Sequence, residues 1–425
     1  MCVKLCDEVV DARFEGSREI EGGVVEYRAS AVAQCAAHFC IGTCADQQFQ
    51  VPAAPAALLD ESQPFVIAMA RESKKAVVQG DQPHNRLEYD GAFAKAWSSV
   101  NLSYVEDRKQ LPTEIEPSDV TFVLCIEGTG IERQGLLLCE ALREFGGKFR
   151  NAAAVAVSPR PDTAIGADSR ALLDELNVTY VVEPLNVTGH SYLPINRMVT
   201  GAWAERNLST DYVVLLDTDT LFAREPTFYA VDAGVRPVDE KGSTSSGSDD
   251  PLDKYWRRIC ELANIALEDL PFLTTSVDGQ RVRASYNGGF CIVRRSLGIL
   301  QKTDRVFAAS LREGLRPLAN RRLNLFTSVG YVGRAASEFW GSSQATLSAA
   351  IASLADDVLV YDPAYNVPLH LLVPEDGKTA DWPLDPVLVH YHWLLQPGYQ
   401  SELLGVLERL EVRPEFRTWL AHRLG

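Results

Sequence analysis

The sequence contains no apolar run near the ~18 residues that a membrane-spanning helix needs. Basic residues are also in the minority, 41 against 57 acidic ones, and the formal net charge is −16. Phosphate backbones are bound by basic surfaces, so this charge argues against a nucleic-acid partner. With 46% hydrophobic and 23% charged residues, the composition is typical of a soluble globular protein. We therefore expect no transmembrane segment and no bound nucleic acid.

The N-terminus also lacks a recognisable targeting signal. Its first residues, MCVKLCDEVVDARFEG, place acidic side chains where a secretory signal would continue its apolar core. We therefore expect a cytoplasmic protein. The nine cysteines include Cys35, Cys40 and Cys44 around His38, a spacing that fits no zinc-binding template. We expect reduced, mostly buried thiols.

The length of 425 residues suits one large α/β domain and a smaller appendage. From residue 119 onward, strand-like apolar runs alternate with helical patterns, which is typical of a parallel sheet with helices on both faces. We predict an N-terminal region of unknown role at residues 1–118 and an α/β domain at residues 119–425. No internal repeat is found.

Short apolar runs predict strands at residues 119–127, 152–159, 178–184, 212–216 and 286–295. Helical spacing predicts helices at about 167–176, 255–266, from Ser343 and from about Ser401. The most regular helix begins at Pro194, with one apolar stripe. Residues 239–253 are polar and rich in glycine and serine, so we predict a mobile loop there.

Two aspartates, Asp217 and Asp219, directly follow the predicted buried strand YVVLL at residues 212–216. Residues two apart in an extended chain project to the same side, so both carboxylates can face one ion. Ligands of open α/β sheets bind at the carboxyl ends of the strands. These oxygen ligands suit Mg²⁺ or Mn²⁺ that is also bound by a substrate diphosphate. The structural alternative is an ordinary turn with a helix cap.

The segment YVVLLDTDTLF follows an amphipathic helix and precedes YNGGFCIVRR by about seventy residues. Together these segments resemble the donor-binding core of GT-A glycosyltransferases, in particular the glycogenin-like and related retaining groups. The resemblance covers roughly residues 119–395. It implies a Rossmann-like GT-A fold and metal-dependent transfer of a sugar from a UDP- or GDP-sugar donor, with retention of configuration. The acceptor is not identified by the sequence.

The resemblance also implies the metal ligands. Asp217 and Asp219 would bind Mn²⁺ or Mg²⁺, and Asp217 would thereby contact the donor. A late histidine completes the metal shell in the family, and LVHYHW offers His390 or His392. The sequence leaves open which of the two is the ligand, and either could be a structural histidine.

Further residues would bind the donor. By the resemblance, Asn287, Gly288 and Gly289 line the donor sugar, and glycines let the backbone approach it closely. Asn196 and Arg197, on the helix before the aspartates, would reach the nucleotide. The alternative for the Asn-Gly-Gly run is a bulge or a tight turn.

The candidate catalytic residues are Gln344 and Glu338. Many family members carry an acidic residue followed by glutamine ahead of an apolar helix. In FWGSSQATLSAAI, Gln344 matches the glutamine, whereas Ser343 replaces the acid. Glu338 is therefore a second candidate, as base or nucleophile. The alternatives are a helix-start residue for Gln344 and a surface carboxylate for Glu338.

Two other functions are compatible with this pattern. A nucleotidyltransferase that makes sugar nucleotides also binds a metal and a diphosphate, but such enzymes usually carry a basic, glycine-rich phosphate loop. CIEGTGIERQG, after the first predicted strand, has two acids and one arginine instead. A non-catalytic nucleotide-sugar binding protein of the same fold is the second alternative.

Overall fold

The computed structural model describes residues 102–104, 110–319, 325–373, 382 and 385–424. Every described residue belongs to the unit His84–Gly425. The interpretations made for the cysteines around His38 lie outside the described residues.

The strands and helices follow the predicted alternation. The strands are β1 (Leu102–Tyr104), β2 (Val120–Cys125), β3 (Ala153–Ser158), β4 (Thr179–Val182), β5 (Tyr212–Leu216), β6 (Thr220–Phe222), β7 (Ala233–Pro237), β8 (Phe272–Thr274), β9 (Arg281–Arg283), β10 (Tyr286–Arg294), β11 (Leu325–Thr327), β12 (Gly330–Val332), β13 (Val358–Val360), β14 (Tyr365–Pro368) and β15 (Leu388–His390). The α-helices are α1 (Glu132–Phe145), α2 (Ala167–Glu175), α3 (Pro194–Asn207), α4 (Asp253–Leu262), α5 (Ile299–Arg312), α6 (Arg334–Ser337), α7 (Ser342–Leu354), α8 (Gln400–Arg409) and α9 (Pro414–Leu424).

The central sheet has eight strands in the order β1-β13-β7-β10-β5-β2-β3-β4. All neighbours are parallel except β10, which is antiparallel to both β5 and β7. The prediction of a mostly parallel α/β sheet is thus confirmed.

Helices cover both faces of this sheet because neighbouring residues of its strands point to opposite sides. Val214 of β5 packs in the same hydrophobic cluster as Leu138 of α1. Val213, its neighbour, packs in a second cluster with Trp203 of α3 and Leu347 of α7. A strand buried on both faces needs a continuous apolar run, and the five residues of β5, YVVLL, are all apolar.

The strand directions bring distant segments to one edge of the sheet. β2 and β5 are parallel, with Leu124 beside Leu216, so the residues that follow both strands meet there. β10 runs the opposite way, so its beginning reaches the same edge, and the Asp217 amide donates to the Gly289 carbonyl at 3.2 Å. A smaller sheet, β14-β15-β6, pairs His390 with Thr220 and places it beside the aspartates.

Some sequence predictions differ from the structure. The segment at residues 239–253 is irregular, as predicted, but it is packed rather than mobile: Thr244 and Ser245 are buried, and the Trp256 indole donates to the Ser243 carbonyl at 3.0 Å. Helix α9 was not predicted. The division at residue 118 stays a prediction, although β1 precedes it and joins the sheet.

Two expectations from composition can be compared with the described residues. The cysteines there, Cys125, Cys139, Cys260 and Cys291, are free and buried. Within the described ranges, no helix combines the length and apolar character needed to cross a membrane.

Candidate active site

A cavity of about 840 Å³ lies at the edge of the sheet where β2, β5 and β7 end. Its walls bring together segments that are far apart in the sequence. Most of the predicted site residues line it, namely Asn196, Asp217, Asp219, Asn287, Gly288, Gln344, His390 and His392. Gly289 and Glu338 do not line this cavity.

Asp217, Asp219 and His390 form a group suited to a metal ion. In the described part of the chain, their potential ligand atoms all lie within 4.8 Å of one another. The Nε2 atom of His390 is 3.2 Å from Oδ1 of Asp219, and its Nδ1 is buried without a hydrogen-bond partner. Carboxylate oxygens and one imidazole suit Mn²⁺ and Mg²⁺.

Asp219 and His390 are an ion pair. Burial opposes the charge of Asp219, but His390 outweighs it and holds the pKa of this carboxyl well below its usual range. Burial likewise opposes the charge of His390, yet Asp219 raises the pKa of the imidazole to about 9. The positive charge on His390 therefore stabilises an otherwise costly buried carboxylate. A divalent cation can take over this role, with release of the imidazole proton.

Arg197 holds the other aspartate. Its Nε lies 3.2 Å from Oδ1 of Asp217, and its Nη1 donates to the Gly288 carbonyl. A Cβ atom on Gly288 would lie 2.6 Å from the Arg197 guanidinium, so a larger residue there would displace this group. The arginine thus contacts the Asp-x-Asp turn and the start of β10, and it also lines the cavity.

Gly289 is required by close packing against the metal-site histidine. A Cβ atom there would lie 2.4 Å from Oδ1 of Asn366 and 2.8 Å from Nδ1 of His390. Real Cβ atoms do not approach other atoms this closely. Its amide donates to Oδ1 of Asn287 at 2.8 Å. In the structure, Gly289 therefore lets the backbone approach His390, a role different from the predicted one of lining the sugar.

His392 is placed differently from His390. It lines the cavity, but its ring stacks on His370 with centroids 4.3 Å apart, and it is not part of the three-residue group. Burial lowers the pKa of His392 to about 4, so this imidazole is neutral at physiological pH. The structure thus brings His390, rather than His392, to the two aspartates. The identity of the metal ligands stays a prediction.

Asp239 was missed by the sequence reasoning. It lines the cavity just after β7, and Nδ2 of Asn287 donates to its Oδ2 at 2.6 Å. Burial raises the pKa of Asp239 to about 7. The sequence signal was weak, because β7 contains Arg236 and its five residues do not read as an apolar run.

Glu127 is a second missed residue, at the end of the first predicted strand. Arg160 donates to both of its carboxylate oxygens, at 2.7 and 2.6 Å, and Nδ2 of Asn196 donates to it at 2.9 Å. Oδ1 of Asn196 accepts from Asn186 at 2.6 Å. Asn196 lines the cavity, but both polar atoms of its amide are engaged within the protein.

The two catalytic candidates have different surroundings. Gln344 lies in the first turn of α7 and lines the cavity, while Ser343 contacts the Tyr192 hydroxyl at 3.2 Å. Glu338 is buried outside the cavity lining, and Arg316 and Arg334 contact its two carboxylate oxygens at 2.5 and 3.2 Å. In the structure Glu338 is thus ion-paired to two arginines. Its role as base or nucleophile stays a prediction.

Comparison with protein families gives a match over residues 122–326 to a model described as the Rhodobacterales glycosyltransferase domain. No curated protein matches the chain. Among solved structures, the chain is similar to the apo structure of WbbM, described as a bifunctional glycosyltransferase, with 12% identity and a TM-score of 0.38. The likeness covers 72% of this chain and 53% of that one, so the chain spans about half of WbbM.

Proposed function

Since the chain carries a glycosyltransferase domain at residues 122–326, we propose that it is a metal-dependent GT-A enzyme that transfers a sugar from a nucleotide-diphosphate donor. UDP- and GDP-sugars are the proposed donors, and Mn²⁺ or Mg²⁺ is the proposed cofactor. The observation that supports this most strongly is the convergence of Asp217, Asp219 and His390 in one cavity, from segments about 170 residues apart.

In this proposal Asp217, Asp219 and His390 hold the divalent cation. When bound, the ion supplies fixed positive charge next to the diphosphate that leaves as the glycosidic bond breaks. Arg197 keeps Asp217 at the end of β5, and Gly289 leaves space for His390. These contacts fix the ligand positions before a substrate arrives, which is what electrostatic preorganisation requires.

The groups proposed to contact the donor sugar are Gln344, Asn287 and Asp239. All three line the cavity, and the last two are hydrogen-bonded to each other. An amide can hold a sugar hydroxyl as donor or acceptor. We propose that Asp239 supplies the carboxylate that the family places at the position of Ser343. Near neutral pH it can accept or donate a proton, because its pKa is about 7.

We further propose that the sugar keeps its anomeric configuration. This rests on the resemblance of YVVLLDTDTLF and YNGGFCIVRR to retaining groups. Proton NMR of the first product, recorded before the anomers equilibrate, gives the configuration directly. A product of inverted configuration would contradict retention while leaving the metal-dependent transfer intact.

The proposed function is tested by incubating the protein with a panel of UDP- and GDP-sugars and measuring nucleoside diphosphate release with Mn²⁺, with Mg²⁺ and with a chelator. We expect metal-dependent release from at least one donor. Asp219→Ala should lower the rate about 1,000-fold, since it removes a cation ligand and leaves His390 unpaired.

Asp249→Ala is a matched control, because Asp249 is exposed and does not line the cavity. Its rate should equal that of the wild type. Release that is indifferent to the chelator, or that survives in Asp219→Ala, would contradict metal dependence. No release from any donor would favour a non-catalytic binding protein.

A further inference from the structure

One wall of the cavity is the hairpin formed by β11 and β12, here called the hairpin wall and defined as residues 325–333. Its residues Leu325, Thr327, Ser328, Val329, Tyr331, Val332 and Gly333 line the cavity. The sequence of this wall, LFTSVGYVG, contains no charged residue. In contrast, the strand ends that line the same cavity carry the carboxylates of the site.

Among the hairpin-wall residues that line the cavity, Tyr331 has the most exposed side chain. It is 50% exposed, which is unusual for a large aromatic residue. Its ring packs on Phe326 with centroids 4.8 Å apart, and Phe326 in turn lies 6.2 Å from Trp393. Trp393 packs edge-on against Tyr399 at 4.9 Å. One side of the Tyr331 ring is thus supported by an aromatic cluster, while much of the ring stays open to solvent.

Hydrogen bonds connect the hairpin wall to the proposed metal site. Nε2 of Gln134 donates to the Ser328 carbonyl at 2.8 Å, and Oε1 of the same glutamine accepts from the Thr218 hydroxyl at 3.3 Å. Gln396 also donates to the Ser328 carbonyl. One side chain therefore bridges the turn of the hairpin and the residue between Asp217 and Asp219. These hydrogen bonds fix the hairpin wall relative to Asp217 and Asp219. A molecule bound on the wall therefore has a defined position relative to the proposed metal site.

We propose that the hairpin wall is the acceptor subsite and that it takes a neutral saccharide, with the ring of Tyr331 against the sugar. This deepens the proposed function and rests on it. A sugar ring presents an apolar C–H face and a rim of hydroxyls, which match an open aromatic ring next to the Ser328 hydroxyl and backbone groups.

The other acceptor classes fit this wall less well. A lipid acceptor needs a continuous exposed apolar surface, whereas Tyr331 is the one large apolar side chain of the wall that is exposed; Leu325 and Val329 are half-buried and Val332 is buried. An anionic acceptor would find no cation on the wall itself, because the basic residues that line the cavity, Arg160, Arg197 and Lys241, belong to other segments. A neutral saccharide meets neither obstacle.

The test uses the full chain, Mn²⁺ and a donor that the release screen identifies. Nucleoside diphosphate release is measured with neutral methyl glycosides and short oligosaccharides as acceptors. A glucuronide tests anionic acceptors, and peptides with serine and tyrosine test protein acceptors. Alkyl glucosides are compared with free fatty alcohols to test lipid acceptors. We expect neutral saccharides to stimulate release. Tyr331→Ala should raise their KM about tenfold, while the donor KM changes less than twofold.

Two controls separate stacking from folding. Tyr331→Phe keeps the ring and should keep the wild-type KM for the saccharide. Leu111→Ala changes another exposed large side chain, 44% exposed and outside the cavity, and should have no effect. An unchanged saccharide KM in Tyr331→Ala, or stimulation by peptides or fatty alcohols alone, would overturn the proposal.

A binding measurement keeps this inference distinguishable from the proposed function. If no donor is turned over, the proposed function fails, and the same saccharides are titrated while the tryptophan fluorescence of the protein is recorded, since Trp393 belongs to the cluster that supports Tyr331. We expect a saturable change that Tyr331→Ala weakens about tenfold and Tyr331→Phe preserves. No change in the wild type would overturn the acceptor subsite.

Discussion

The two sides of the cavity are built differently. The strand-end side, which comprises Asp217, Asp219, Asp239, Asn287 and His390, is polar and charged, and its side chains contact one another. The hairpin wall, residues 325–333, has no charge and exposes an aromatic ring. In enzymes of this kind the reaction is carried by groups on rigid elements, whereas the choice of partner is made by variable connecting segments. By this reasoning, the strand-end side would carry out the proposed reaction, and the hairpin wall would select the acceptor.

The two sides are also held in place by different contacts. On the strand-end side, main-chain hydrogen bonds fix the aspartates: the Asp217 amide donates to Gly289 at 3.2 Å, and the Tyr391 amide donates to Asp219 at 3.0 Å. The hairpin wall is tied to its surroundings by the glutamine side chains Gln134 and Gln396. A change on the strand-end side should therefore alter the reaction, and a change on the hairpin wall should alter the acceptor.

After Asp219→Ala, the largest loss of activity is expected from Gly289→Ala. The added methyl group would lie 2.8 Å from Nδ1 of His390 and would displace that ring from Asp219. We expect at least a hundredfold loss of metal-dependent nucleotide release, and destabilisation of about 1 to 3 kcal/mol from overpacking. Release assays and urea unfolding measure the two effects. Gly166→Ala is the matched control, because no atom lies within 4 Å of its added Cβ. Full activity in Gly289→Ala would show that His390 does not need its observed position.

A smaller effect is expected from Asp239→Asn, which tests how the strand-end side depends on pH. Burial raises the pKa of Asp239 from 3.8 to about 7 in the folded protein, so folding favours the protonated acid. The unfolded chain loses this proton near pH 4 and the folded chain only near pH 7, so Asp239 lowers stability progressively between these values. Asparagine cannot ionise. The variant should gain stability relative to the wild type as the pH rises from 5 to 7, on the order of 2 kcal/mol.

This stability difference is measured by urea unfolding of the metal-free proteins at several pH values. Asp249→Asn, at an exposed carboxylate outside the cavity, is the control and should show no such trend. A difference between Asp239→Asn and the wild type that is constant from pH 5 to 7 would show that Asp239 ionises normally in the folded protein.

The smallest effect on activity is expected from Glu338→Gln. This carboxylate contacts Arg316 and Arg334 and lies outside the cavity lining. Because both arginines are substantially exposed, we expect destabilisation of only about 1 kcal/mol, with nucleotide release within twofold of the wild type. A large loss of release at unchanged stability would support Glu338 as a base.

Parts of the fold and the site could be predicted from local sequence. Strand β5 is a run of five apolar residues, and the two aspartates follow it directly. In the structure these aspartates lie in a turn, in which the Thr220 amide donates to the Asp217 carbonyl at 3.3 Å, so the turn and not an extended spacing brings them together. Helix α3 was recognisable from Pro194 and its apolar stripe. These features are determined by residues close together in the chain, so they can be predicted from a single sequence.

Other parts depend on contacts between distant segments. His390 and His392 alternate with Tyr391, and sequence spacing alone did not decide between them. The structure separates them because β15 ends at His390, and the backbone of His392 has a positive φ of 51° that turns its ring toward His370. Asp239 could not be recognised because β7 is short and contains Arg236. For Glu338 a local signal existed, since Arg334 is one helical turn before it.

The most direct test of the account is the binding of Mn²⁺ itself, measured by electron paramagnetic resonance in the presence of uridine or guanosine diphosphate. We predict one Mn²⁺ per wild-type chain, with a Kd at least a hundredfold weaker in Asp219→Asn and unchanged in Asp249→Asn. Equal Mn²⁺ affinity in the wild type and in Asp219→Asn would contradict the claim that these strand-end residues form a metal site.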